Sequence, residues 1–211
     1  MNNERFKISK IIILVLVFVL GIVLVKTTFS NNAVKTNNEK EVKLMSGLHH
    51  VVISVKDLGD IKVELDADMA PITVTNFLKL VNDKFYDGLT FHRIIKGFMI
   101  QGGDPTGTGF GGSNEKIKGE FSSNGVNNTI SHVRGTISMA RSKHPDTGSS
   151  QFFIVQADAT YLDGDYAGFG HVTEGMEVVD KVVDSVQGKV GRDGEVEAKD
   201  QPVITSITQI D

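Results

Sequence analysis

Between His50 and Ile210 nearly every apolar run is too short to be anything but a strand, and this limits the fold more than any other feature. HVVISVK (50–56) and DIKVEL (60–65) are rich in β-branched residues, and Asp57-Leu58-Gly59 between them reads as a hairpin turn. Further strand-like pieces are LTFHRII, GFMIQG, TISMAR, QFFIVQ, GFGHV and the alternating VITSITQI near the C-terminus. Only two stretches carry helical spacing. Pro71 opens ITVTNFLKLVNDKF with Ile72, Phe77, Leu80 and Val81 near one face, and Pro suits a first turn. EGMEVVDKVVDSV places Met176, Val179, Val182 and Val183 together. Many short strands and two helices argue for a β-barrel or sandwich, with helices able to plug a barrel's open ends. The 22 glycines fit so many turns. Asp104–Asn128, with six glycines and little period, reads as a functional or mobile loop.

The first residues differ in kind. Arg5, Lys7 and Lys10 precede an apolar run from Ile11 to Val25, which is expected to be an uncleaved membrane anchor or a secretory signal peptide within residues 1–30. Thr28-Phe29-Ser30 is the nearest cleavage candidate. Either way the basic flank stays inside and residues 48–211 are exported, on a single N-terminal span or secreted. Residues 31–47 (NNAVKTNNEKEVKLMSG) read as a polar tether.

From Leu48 onward 15 Lys and Arg face 23 Asp and Glu, about −8. Nucleic acid requires the opposite sign and is excluded as a partner. With no cysteine there is no disulfide and no thiolate metal site. His49 and His50 would point to opposite strand faces, and His92, His132, His144 and His171 lack ligand spacing. No metal or cofactor is expected, and His92 is read as making a structural hydrogen bond. GTGFGG lacks the context of a phosphate loop.

FHRIIKGFMIQGGDPTGTG (91–109) looks like a site without the usual equipment, having no nucleophile beside a base and no acidic pair. If TFHRII and GFMIQG pair around Lys96-Gly97, Arg93 lies on one strand while Met99 and Gln101 share a face of the other. Gln151 and Phe153 share a face of QFFIVQ. Phe98 lies by the turn. Taken singly, Phe98, Met99 and Phe153 read more readily as core, Arg93 as a surface ion pair and Gln101 as a ladder-facing amide.

FHRIIKGFMIQGGD, followed in order by GTISMAR (135–141), GSSQFFIV (148–155) and YLDGDYAGFGHV (161–172), resembles the cyclophilins, a family of peptidyl-prolyl cis–trans isomerases. NFLKLVNDKFYDGLTFHR (76–93) matches the same family, so the resemblance runs from about Val51 to Ile210. It implies a mainly β fold: a closed eight-stranded antiparallel barrel capped by two α-helices. It implies Arg93 as catalytic cation, with Gln101 and Gln151 positioning the peptide backbone. Phe98, Met99, Phe153 and Leu162 would line the pocket for the substrate proline ring, with Tyr161 and Tyr166 beside it. Ala140 and Arg141 would flank the preceding residues. Arg141, Tyr161 and Tyr166 depart from the commonest eukaryotic pattern of Asn, Trp and His, as in many bacterial relatives.

Such a site needs neither nucleophile nor metal, because isomerisation breaks no covalent bond. The barrier of ~18–20 kcal/mol is the lost double-bond character of the C–N bond. As the bond twists, the prolyl nitrogen becomes pyramidal and regains its lone pair, and an arginine N–H aimed there binds the twisted state better than the planar amide. A differential of ~4 kcal/mol gives about a thousandfold. The expected protein is an exported isomerase, a monomer, acting on proline-containing peptides and unfolded exported proteins while held at the membrane by its N-terminal segment. A catalytically weak proline-peptide binding module or holdase chaperone is the alternative.

Overall fold

The computed structural model describes residues 43–211. The expected anchor or signal segment and most of the expected tether lie outside the described residues. Among the described residues no helix is long and apolar enough to cross a membrane. Met45 and Gly47, at the tether's end, are bonded to the domain: Met45 N donates to Thr75 Oγ1 and Gly47 N to Asp68 Oδ1, each at 2.8 Å.

Eight strands follow the short runs of the sequence. They are β1 (Leu48–Val55), β2 (Gly59–Asp66), β3 (Phe91–Ile95), β4 (Met99–Gly102), β5 (Thr136–Met139), β6 (Phe152–Val155), β7 (Ala167–Glu174) and β8 (Ile204–Gln209). Among the described residues the two α-helices are α1 (Pro71–Asn82) and α2 (Met176–Ser185). Alternation sets the faces: Val51, Ile53, Val55, Ile61, Val63 and Leu65 are buried, while Lys62 and Asp60 on β2 point out. In α1 the buried stripe is centred on Val74, Phe77, Leu78 and Val81, and in α2 on Val178, Val179, Val182 and Val183. α1 packs against β8, β2 and β7, and α2 against β2 and β4.

The sheet is antiparallel throughout, in the order β3-β4-β6-β5-β7-β2-β1-β8. It is an open half-barrel, which corrects the expectation of closure: β3 and β8 are its two ends and no ladder joins them. The reason lies in what occupies the edge of β3. Ile94 N donates to Gly194 O (2.7 Å) and Val196 N to His92 O (2.9 Å), so the segment leading into β8 takes the bonds that β8 itself would have needed. The ends approach one another around the bridge between Thr90 and Val203, where Phe91 N donates to Pro202 O (2.9 Å) and Ile204 N to Leu89 O (2.7 Å).

The N-terminus of α1 is capped from a distance. Ala70, at its N-cap position, offers no side-chain acceptor. Glu120, buried in the long loop, accepts from Ile72 N (3.0 Å), Thr73 N (2.8 Å) and Thr73 Oγ1 (2.7 Å), placing a carboxylate at the positive end of the helix. Glu120→Ala is expected to lower the free energy of unfolding by about 2–3 kcal/mol, read from urea denaturation. A loss under about 0.5 kcal/mol, the level of an ordinary surface change, would mean that water replaces the carboxylate.

Candidate active site

The β3–β4 hairpin turns at Gly97, whose φ of 77° suits a residue without a side chain. Its register places Arg93 opposite Gln101, and the β4–β6 register places Gln101 opposite Phe153. Cation, amide and aromatic ring therefore lie side by side across three strands. Arg93 Nε donates to Asp193 O (2.9 Å) and Nη1 to Gln101 Oε1 (3.3 Å). Among the described residues no carboxylate lies within ion-pair distance of Arg93, so its charge is held by neutral oxygens and is not neutralised.

Gln101 Nε2 donates to Gln151 Oε1 (2.8 Å), and Gln151 Nε2 donates to Gly109 O (3.0 Å) and Gly111 O (2.8 Å). Both amide hydrogens of Gln151 are thus spent on the glycine loop, and this side chain supports Gln101 and the loop. The loop is fixed as well by Asp104, which is 1% exposed. Its carboxylate accepts from Thr106 N (2.8 Å), Thr108 N (3.1 Å), Gly109 N (2.6 Å) and Gly111 N (3.1 Å). Burial alone would raise the Asp104 pKa, but the hydrogen bonds from Thr106, Gly111 and Gly109 bring it below the ordinary carboxylate range. Gly103, at φ 86°, sits where any Cβ would collide with the Ser150 carbonyl, so the start of the loop passes close under β6.

Beside this polar row is a second, smaller apolar cluster. Met99, Phe153, Val155 and Ala159 are buried, with Ile95, Phe98, Ala140, Leu162 and Tyr166 packed against them. Together with Arg93, Gln101, Arg141 and Tyr161, residues of this cluster enclose a depression of ≈ 340 Å³. The structure brings Arg93, Phe98, Met99, Gln101, Ala140, Arg141, Phe153, Tyr161, Leu162 and Tyr166 to this one cavity, and Gln151 lines the groove next to it. Phe98 is carried round by the turn to meet Tyr161, with ring centroids 5.9 Å apart. Tyr161 is 71% exposed, at the rim.

Under the pocket floor lies a network that sequence spacing does not reveal. The His132 ring is fully buried, with Nδ1 2.8 Å from Asp163 Oδ1 and Nε2 2.9 Å from Ser138 Oγ. It stacks on Phe153 at 6.0 Å and meets Tyr166 edge-on at 6.5 Å. Burial lowers the His132 pKa, against the opposing pull of Asp163. Serine, histidine and aspartate here have the order of a nucleophilic triad, yet Ser138 is wholly buried and no acyl group can reach it. The network holds the aromatic floor in place.

His92 corrects an expectation. It is 4% exposed and neither ring nitrogen has a hydrogen-bond partner, so it is no structural donor. Burial lowers its pKa and keeps the ring neutral beside Gly109. Two residues outside the sequence reading, Phe110 and Lys116, line the adjoining groove. Phe110 is 97% exposed, and nothing in a glycine-rich, aperiodic loop could have marked it. Among the described residues no group of three or more His, Cys, Asp or Glu is placed to hold a metal ion.

The family described as "Cyclophilin type peptidyl-prolyl cis-trans isomerase/CLD" matches residues 50–209. A peptidyl-prolyl cis-trans isomerase of Helicobacter pylori (strain ATCC 700392 / 26695) is 43% identical over 151 residues, covering 71% of this chain and 88% of that protein. A peptidyl-prolyl cis-trans isomerase-like 1 of Rhizopus delemar is 45% identical over 139 residues, 65% of this chain and 82% of that protein. The crystal structure of a Cryptosporidium parvum cyclophilin type peptidyl-prolyl cis-trans isomerase superposes with a TM-score of 0.69 at 32% identity, covering 78% of this chain and 99% of that one. Its structure in the presence of the dipeptide Ala-Pro gives 0.67 at 33% identity, covering 77% and 99%.

Proposed function

The chain belongs to the cyclophilin-type peptidyl-prolyl cis-trans isomerase family and is an isomerase; from that premise we propose that Arg93 is the group that lowers the barrier and that the apolar depression beside it holds the substrate proline. The observation that carries this reading is the un-neutralised guanidinium at the edge of a cavity floored by Met99 and Phe153. A proline ring seated on that floor would bring its nitrogen to the Arg93 side. The arginine N–H gains strength as the nitrogen becomes pyramidal, and it costs little to orient because Asp193 O and Gln101 Oε1 already hold it. Phe98, Leu162, Tyr161 and Tyr166 wall the ring, Gln101 grips the peptide backbone with Gln151 behind it, and Ala140 and Arg141 flank the residues before the proline. Rotation is then confined to one bond.

An arginine keeps its charge at any working pH, and burial shifts both His92 and His132 toward the neutral form. Isomerisation of an Ala-Pro peptide by the full chain should therefore be fast and nearly independent of pH between about 6 and 9. A bell-shaped profile in that range would show a titrating acid or base and overturn the arginine mechanism.

The expected N-terminal segment supports the wider reading. An apolar run behind a basic flank would hold the enzyme, as a monomer, where translocated chains emerge. X-Pro isomerisation is slow enough to limit folding there. Deletion of residues 1–30 should release the protein from the membrane fraction with its peptide activity intact. A protein found in the cytoplasm with or without those residues would refute the tether.

A further inference from the structure

The depression around Arg93 continues into a larger groove of ≈ 470 Å³, and the two share Gln101, Ala140 and Arg141. An extended peptide advances about 3.3 Å per residue, so a chain with its proline in the first cavity reaches the second within one or two residues. The groove has an unusual charge for this domain. Its lining includes two cations, Lys116 and Arg141, and no aspartate or glutamate, although the domain carries about −8 overall.

Neither cation is neutralised among the described residues. Arg141 donates from Nε to Asp165 O (2.9 Å) and from Nη1 to Ser142 O (3.0 Å), both backbone carbonyls, and no hydrogen bond engages its Nη2. Its guanidinium lies 4.5 Å from the Tyr166 ring centre and 5.2 Å from that of Phe121. Lys116 is an exposed residue, and among the described residues its Nζ has one hydrogen-bond partner, Ser149 Oγ at 3.4 Å. The neighbouring Glu115 is turned away, paired with Lys79. Exposed ion pairs are commonly weak because two long side chains must be ordered; here Arg141 is ordered in advance by carbonyls and rings.

We propose that this groove is a subsite for an acidic side chain, Asp or Glu, one or two places before the substrate proline, recognised by Lys116 and Arg141. The assignment of Ala140 and Arg141 to the residues before the proline rests on the function proposed above. Phe110 stands at the rim and gives the aliphatic part of such a residue an apolar wall.

The test is a peptide series on the full chain, with Glu, Ala or Lys at each of the two positions before proline. At low salt kcat/KM should favour Glu over Lys by about five- to tenfold at one of these positions, falling toward unity near 1 M salt as the charges are screened. Lys116→Glu should bring that ratio to about one or below. Calorimetric titration with the same peptides reads the preference apart from catalysis. If no peptide is turned over but Glu still binds better than Lys, the mechanism at Arg93 fails and the subsite stands. A wild-type Glu-to-Lys ratio of one or less at both positions, in turnover and in binding, overturns the subsite.

Discussion

Replacing Arg93 with alanine is expected to lower kcat/KM for an Ala-Pro peptide by about two to three orders of magnitude while weakening peptide binding only a few-fold. The split follows from geometry. The proposed ring-binding surface is built from Met99, Phe153, Phe98 and Leu162, which pack in an apolar cluster that does not include Arg93. The guanidinium touches the polar row beside them. The proposed interaction with the prolyl nitrogen would exist only while the bond is twisted, so its loss should fall on the transition state. Arg93→Lys should recover little, because Gln101 Oε1 and Asp193 O position a planar fork that an ammonium cannot imitate. Equal losses of turnover and binding would instead mark the domain as a proline-peptide binding module, in which the arginine serves only affinity.

The second large effect concerns the core. Phe77, on α1, is completely buried and meets Tyr86 at 5.1 Å, Phe169 at 5.3 Å and Phe152 edge-on at 5.5 Å. It joins α1 to β6 and β7 through one aromatic cluster. Phe77→Ala should destabilise the domain by about 3–5 kcal/mol, lowering the melting temperature by roughly 10 °C. Phe152 faces this cluster while its neighbour Phe153 faces the cavity beside Arg93, so the space left by Phe77 should also loosen the candidate site as the protein warms. Chemical denaturation gives the first quantity directly. A loss below about 1.5 kcal/mol would show that the surrounding rings collapse into the space.

That Arg93 sits on one strand of a hairpin turning at Lys96-Gly97, with Met99 and Gln101 on the other, was legible, and the eight described strands were legible as short runs bounded by turn residues. The cross-strand pairing of Arg93 with Gln101 needed the register. Closure of the barrel was not legible. It depends on the route of residues 188–203, which have no period, and on their taking the β3 edge at His92 and Ile94. His132, Ser138 and Asp163 also escaped, since their contact joins a loop, a strand and a turn that no repeat relates. Phe110 and Lys116 belong to a loop whose shape is set by Asp104 through backbone N–H groups, and such shape leaves no mark in hydropathy. His92 looked like a donor because buried histidines usually are.

The amide row beside the arginine has a direction. Arg93 donates to the Gln101 oxygen, which obliges the Gln101 nitrogen to face the Gln151 oxygen, which in turn aims the Gln151 nitrogen at the carbonyls of Gly109 and Gly111. Neither glutamine can flip without setting donor against donor. One N–H of Gln101 has no partner among the described residues, so on the function proposed above it is the donor that a substrate carbonyl would meet in the cleft. On that function the row would act as a one-way gauge of backbone orientation, its sense imposed by the same arginine that is proposed to act on the twisting bond.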